Sequence, residues 1–391
     1  MRIVATVNTI KNYKSNSKSI RNLWVYFFKC FKLKHSPQSF LQNLTMTEAV
    51  TSSEMLLSVQ EKSRKINQTP LLIREFVKLG EAGSMTDVNG ADRTHDNYLR
   101  VMQWNLLAQG LCQSSDGFVL CPPGALDYQY RQYRIIEELL SYSADIYCLE
   151  EVDNYAFIES HLGKLGFKGC FFPKPDSPCL YQANNFGPDG CAVFWCEAKL
   201  RLLKQENVIL CDDRKKETNQ VALMCMFKGL TGHMKDKEFL CVATHLKSKL
   251  GYDELRYQQG KFLEDFLRKK AAEIPLIICG DFNADPQSKA VSVIKASDLQ
   301  LVSAYTLLSD EGNEPAYTTW KVRAGRRGKA STEVCHTIDY LFFSGKQFQI
   351  VQLLRLPTPE EIGPGFLPSY SYPSDHISLV ADLKFVDVDH I

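Results

Sequence analysis

The sequence predicts an α/β protein, a two-sheet α/β sandwich with flanking helices, and three observations lead there. Candidate strands outnumber candidate helices by about two to one, which favours two sheets packed face to face over one doubly wound sheet. Some strands are short and apolar, Pro275–Cys279 throughout and Ile146–Glu150 up to its terminal glutamate, as expected of strands covered on both faces. No segment repeats, which removes solenoids and propellers.

In chain order, Arg100–Trp104 reads as a strand and Tyr128–Ser141 as an amphipathic helix. Ile146–Glu150 is a buried strand and Tyr155–Leu165 a second helix. Turns then separate strands at Cys191–Cys196, Leu200–Lys204, Val221–Lys228 and Phe239–Thr244. Asp253–Ala272 is a long helix, Pro275–Cys279 a strand and Ala290–Ser297 a short helix. Strands at Thr337–Phe343, Phe348–Leu354 and Ile377–Phe385 complete a domain expected to span residues 99–386, with 387–391 as a tail.

The chain before Leu99 differs in character. Residues 1–47 carry Arg2, Lys11, Lys14, Lys18, Arg21, Lys29, Lys32 and Lys34, and no acid precedes Glu48. That is the composition of a mitochondrial targeting segment, with a basic tail as the equal alternative. Both a mitochondrial and a cytoplasmic pool are expected, since starts at Met46 or Met55 would omit the basic stretch. The apolar patch Leu23–Phe28 is too short to span a bilayer. Residues 48–98 read as a polar, largely disordered linker, with helix-forming composition over 53–78.

Formal net charge is +1, so the molecule as a whole has no basic field for non-specific nucleic-acid binding, and any phosphate site must be built locally. The thirteen cysteines are scattered and show no C-x-x-C spacing, which points to reduced thiols rather than a zinc or disulfide framework. Without heptads or an isolated apolar stripe, a monomer is expected.

Five segments share one grammar, an apolar strand ending in carboxylate, amide or imidazole groups. They are VMQWNLLA (Val101–Ala108), CLEEVD (Cys148–Asp153), ATHLKSK (Ala243–Lys249), IICGDFNADP (Ile277–Pro286), and TIDY (Thr337–Tyr340) taken with SDH (Ser374–His376). Side chains at strand ends are held by the sheet yet open to solvent. Singly, each has a plain structural reading: Asn105 as a turn former, His245 as a core histidine, Asp281 and Asn283 as a β-turn.

Together, in order, W-N-L, L-x-E-V, T-H-L, G-D-F-N, D-Y and S-D-H resemble the endonuclease/exonuclease/phosphatase superfamily, the exonuclease III-like fold, from about Arg100 to Phe385. The resemblance implies a Mg²⁺-dependent phosphoesterase. Glu151 would be the main Mg²⁺ ligand, with Asn105 beside it and Asp375 approaching the metal. Asp281 would orient or deprotonate the attacking water, and Asn283 would hold a phosphate oxygen. His376 and His245 would stabilise the transferring phosphoryl group, with Asp339 fixing the tautomer and charge of His376. Glu150 stands where the family usually has glutamine.

The strings FFPKPDSPC (Phe171–Cys179), NNFGPDGCAVF (Asn184–Phe194), YTTWKVR (Tyr317–Arg323) and IGPGFLPSYSYPSDH (Ile362–His376) are similar to a branch of the family without the leucine-rich repeats of the carbon-catabolite-repressor-type deadenylases. For Lys174, Lys247, Lys249, Lys321 and Arg323 that similarity implies contact with the phosphates of a dinucleotide, NADPH or NADP, whose 2′-phosphate would be removed to give NAD(H). Lys249 replaces the usual arginine, keeping the charge but losing the bidentate fork. The runner-up reading is a poly(A)-specific 3′-exoribonuclease, with RNA as partner. A non-catalytic interaction protein and a phosphatase of lipid headgroups rank lower.

Overall fold

The computed structural model describes residues 50–80, 85–86, 98–112, 117–183, 185–271, 273–325 and 330–386. The basic segment 1–47, the stretches 81–84 and 87–97 of the expected linker, and the tail 387–391 lie outside the described residues.

The chain begins with α1 (Ser52–Ile66), β1 (Phe76–Leu79), β2 (Met85–Thr86) and β3 (Leu99–Asn105). There follow α2 (Tyr128–Tyr142), β4 (Ile146–Val152), α3 (Tyr155–Leu162), β5 (Phe167–Pro173), β6 (Gly190–Cys196), β7 (Leu200–Cys211), β8 (Glu217–Gly229) and β9 (Glu238–His245). The remainder is α4 (Asp253–Lys270), β10 (Leu276–Asp281), α5 (Lys289–Lys295), β11 (Leu301–Ser303), β12 (Thr319–Arg323), β13 (Thr332–His336), β14 (Asp339–Ser344), β15 (Phe348–Leu354), α6 (Pro359–Ile362) and β16 (Leu379–Phe385).

An eight-stranded sheet runs β2-β1-β15-β16-β3-β4-β6-β5 and a six-stranded sheet β11-β14-β10-β9-β8-β7, with β12-β13 as a separate ribbon. The sandwich expected from the sequence is therefore present. Its organising rule is the two-residue period of a strand. Along β3, Leu99 and Val101 enter the core between the sheets, while Met102 and Trp104 pack outward beneath α1 and α2. Ile277 and Cys279 of β10 likewise face inward, and Leu276 and Ile278 face outward toward α4 and α5. Burying both faces requires the near-continuous apolar runs seen in the sequence.

Residues 51–79 depart from the linker expectation. Thr51 and Glu54 form a reciprocal cap for α1, which buries Met55 and Val59 against the core beneath α2. The β1 strand adds to β15 in antiparallel register. Arg74 is buried and donates from Nη2 to Glu138 Oε1 (2.8 Å) and from Nη1 to the Ser378 carbonyl (2.9 Å). The polar composition is real, but the few apolar side chains fall on one face and the buried arginine has a carboxylate waiting in α2. The sequence reading also missed β5 and the β12–β13 ribbon. The burial pattern of β5 is intermediate nearly throughout, and the ribbon lies outside both sheets, so neither shows a continuous apolar run.

Candidate active site

The rule that fills the core also builds the site. In β3, Gln103 and Asn105 continue the inward row of Leu99 and Val101; in β4, Glu150 continues that of Ile146 and Cys148. In the second sheet, β9 and β10 pair in parallel so that Asp281 sits opposite His245, and β14 places Asp339 opposite Asp281 from the other side. Where the inward rows run out of apolar residues, the polar ends of both sheets meet.

Asp281 lies at the centre. It is buried, accepts from Asn105 Nδ2 (3.0 Å) and from the Asn283 backbone N–H (2.8 Å), and lies 3.5 Å from His245 Nε2 and 3.9 Å from His376 Nε2. Burial pushes its carboxyl up to about 7, against the pull of His376.

His376 Nδ1 lies 2.9 Å from Asp339 Oδ2, and that oxygen also accepts from Thr318 Oγ1 (2.6 Å). Burial alone would disfavour the imidazolium, but the Asp339 carboxylate outweighs it and lifts His376 to about 9. Nδ1–H then points at Asp339 and leaves Nε2 facing Asp281. His245 behaves oppositely: burial, with the cations Lys174, His376 and Lys247 nearby, holds it well below its usual range, so the ring is neutral. Its Nε2 lies 3.0 Å from Asn283 Nδ2, which also donates to the Leu246 carbonyl (3.2 Å).

Glu151 breaks the alternation. It has φ +52° at a register shift between β4 and β6, and this left-handed residue turns its carboxylate away from the face it would otherwise take. Its Oε2 accepts from the Ala108 N–H at 3.1 Å, and the side chain is only half buried. Glu150 stays inside, fully buried, with Gln103 Nε2 donating to it at 2.8 Å; burial raises its carboxyl well above the usual range.

The cations fall into two sets. Lys174 is buried and pairs with Asp189 (2.6 Å). Lys247 stands 4.9 Å over the Tyr252 ring, and burial together with Lys249 and Lys174 lowers its pKa, which places these lysines within electrostatic reach of one another. The backbone carbonyl of Lys249, a residue at φ +79°, is held by Arg256 Nη1 (2.9 Å). Lys321 and Arg323 project from β12, and both approach Asp375, Arg323 at 3.5 Å. The guanidinium of Arg323 also covers the Phe118 ring, 3.6 Å from its centroid. Asp375, expected to approach the metal, is the counter-ion of Lys321 and Arg323 through its Oδ2. Burial would raise its carboxyl, but Lys321, His376 and Arg323 hold it well below the usual carboxylate range. The reason is topological: Asp375 lies next to the ribbon that the sequence reading missed.

Thr318 and Gln103 were also missed, being a hydroxyl and an amide in apolar surroundings with no local signal. Among the described residues, the one group of three candidate ligand residues with atoms within 4.8 Å of one another is Asp281, Asp339 and His376. Asp339 and His376 satisfy each other there, and Thr318 takes part of what is left. Glu151 follows Glu150, the register partner of Asn105, and its half-buried carboxylate offers oxygen donors to a hard divalent cation, so the residues present fit such an ion.

Residues 102–376 match the Endonuclease/Exonuclease/phosphatase family. The chain is 44% identical over 294 residues to nocturnin of Xenopus laevis, covering 73% of this chain and 72% of that protein. Against nocturnin of Homo sapiens the identity is 44% over 346 residues, covering 87% and 75%. The solved human Nocturnin catalytic domain with bound sulfate anion matches with a TM-score of 0.65 at 36% identity, over 81% of this chain and 100% of that one. No helix among the described residues is long and apolar enough to cross a membrane. With its carboxylate, amide and imidazole groups gathered at one end of two sheets, the chain belongs to the endonuclease/exonuclease/phosphatase family, as a metal-dependent phosphoric-ester hydrolase similar to the nocturnins.

Proposed function

We propose that this protein is a Mg²⁺-dependent phosphatase that removes the 2′-phosphate of NADP(H) to give NAD(H). The observation that carries the reading is the division of the cations. Lys174, Lys247 and Lys249 gather on the His245 and Glu151 side of Asp281, and Lys321 with Arg323 on the His376 side. A dinucleotide carrying a ribose phosphate and a separate pyrophosphate offers one anion to each set.

Bound at Glu151 and Asn105, Mg²⁺ would supply positive charge against the phosphoryl oxygens. Asp281 in its ionised form orients a water and accepts its proton as the oxygen attacks phosphorus. His376, protonated and held by Asp339, donates from Nε2 to a phosphoryl oxygen as negative charge builds there. His245 is neutral and orients Asn283, which places an amide beside the same centre. The bond from phosphorus to the ribose 2′-oxygen breaks, and that oxygen takes a proton from solvent water to leave as a hydroxyl. Mitochondrial and cytoplasmic pools of the enzyme remain part of this proposal, resting on the basic residues 1–47.

The test is phosphate release by the full chain with Mg²⁺ from NADPH, NADP and a short oligo(A), with Glu151→Ala as control. Release from NADPH and NADP with oligo(A) intact supports the reading. Shortening of oligo(A) with both dinucleotides untouched replaces it with the 3′-exoribonuclease, and the same cations become contacts to an RNA backbone.

A further inference from the structure

Arg131 lies in the first turn of α2 and is fully buried. An arginine on a helix normally carries its guanidinium to water. One drawn wholly inside must find acceptors for its N–H groups, and it usually brings a carboxylate with it. The hydrogen bonds of Arg131 go to neutral groups. Nη2 donates to the Leu106 carbonyl (2.8 Å) and the Leu107 carbonyl (2.6 Å), Nη1 to Gln109 Oε1 (2.6 Å), and Nε to the Pro373 carbonyl (2.8 Å).

Those acceptors belong to two loops. Residues 106–109 follow Asn105, and they also carry the Ala108 N–H that holds Glu151. Pro373 directly precedes Ser374, Asp375 and His376. Leu107 has φ +58°, a twist that lets consecutive carbonyls turn toward one guanidinium. A second tie joins the same loops, since Ser374 Oγ donates to the Asn105 carbonyl (2.6 Å). Arg131 and Glu151 also line the same small pocket.

We propose that Arg131 is a positioning residue: from within the helix layer it clasps the Asn105 loop to the His376 loop and so sets the spacing between the metal-binding and phosphoryl-binding sides of the site. The proposal rests on this site being the catalytic centre, whichever phosphoester is its substrate. An apolar side chain of similar length would fill the same volume without burying a charge. What it would lack is a rigid fork that reaches both loops at once.

The experiment uses the full chain and whichever of NADPH, NADP or oligo(A) the unaltered protein cleaves, so turnover by that protein tests the functional reading first. Arg131→Lys keeps the charge but loses the fork. Its kcat should fall by about 10- to 100-fold, the scale on which small misplacements of reacting groups act. KM should stay within about threefold, and the Mg²⁺ concentration for half-maximal rate should rise, since Asn105 and Glu151 are displaced together. A folded Arg131→Lys protein with kcat and Mg²⁺ dependence within about twofold of the original overturns the proposal, as does a rise in KM at unchanged kcat. If that variant does not fold, Gln109→Ala decides: it removes one acceptor of the clasp from a partly exposed position. A fall in kcat of about threefold or more at constant KM supports the clasp, and unchanged kcat overturns it.

Discussion

Replacing Asp339 by Asn removes the charge that keeps His376 protonated while preserving the shape of the pair. His376 stands at about 9 in the folded protein, and burial alone would place it below the ordinary histidine value. Taking about 6.5 as the upper bound without the Asp339 charge, the protonated fraction at pH 8 falls from about 0.9 to about 0.03, roughly a 30-fold loss of the active form. At pH 6 the variant's protonated fraction is at most about 0.76 on the same bound, so the gap between the two proteins should narrow as pH falls. The Asp339 charge also helps to raise Asp281, which stands at about 7. Protonated His376 pulls the other way on Asp281, so its loss opposes this effect, and the shift with a definite direction is that of the alkaline limb of the bell-shaped kcat/KM profile, to lower pH. In the unaltered protein the rate rises as Asp281 loses its proton and falls as His376 loses its own. The assay is initial phosphate release under kcat/KM conditions from pH 5.5 to 10 at fixed Mg²⁺ (~ half-unit steps). An alkaline limb that stays within about half a unit of the original would refute the protonated-His376 mechanism.

Two further outcomes follow from buried charges. Arg74→Met should destabilise by about 3–5 kcal/mol in urea unfolding, because it leaves Glu138 buried without its cation, and adding Glu138→Gln should recover part of the loss. A change below about 1 kcal/mol would mean that residues 51–79 are peripheral to the fold. Glu150→Gln should flatten the pH dependence of stability in metal-free protein. Glu150 has its folded value raised above the unfolded one, so the original protein loses stability as pH rises from the ordinary carboxylate range toward the raised value, and the glutamine variant does not. Equal slopes in the two proteins between pH 5 and 9 would show that Glu150 is charged in the fold (urea midpoints at ~ five pH values suffice).

The inward rows of the strands made much of the site legible. Asn105, Glu151, His245, Asp281 and Asp339 each close or open an apolar run, so their placement at one end of a sandwich could be read before any coordinates. The deviations share a cause: each depends on a partner far away in sequence. Asp375 meets Lys321 across 54 residues, and Lys174 meets Asp189 through a turn of no marked pattern. Arg74 looks like a solvated residue until Glu138 and Ser378 are brought to it, and Arg131 looks like an ordinary helix-surface arginine. Period and composition report local burial. They carry no record of which acceptor closes a long-range contact.

Leu107, Glu151, Lys249 and Asn283 all hold a left-handed backbone without being glycine. Such residues cost about 1 kcal/mol or more each relative to a relaxed conformation, and glycine would relieve that cost. A selection for heat resistance alone, with no demand for turnover, would therefore be drawn toward glycine at 151 and 283 and would discard the carboxylate and the amide in doing so. Robustness and activity pull against each other at these positions. Any programme of improvement must hold them fixed and look for its gains elsewhere, in the helix layer or on the outer surface of the six-stranded sheet.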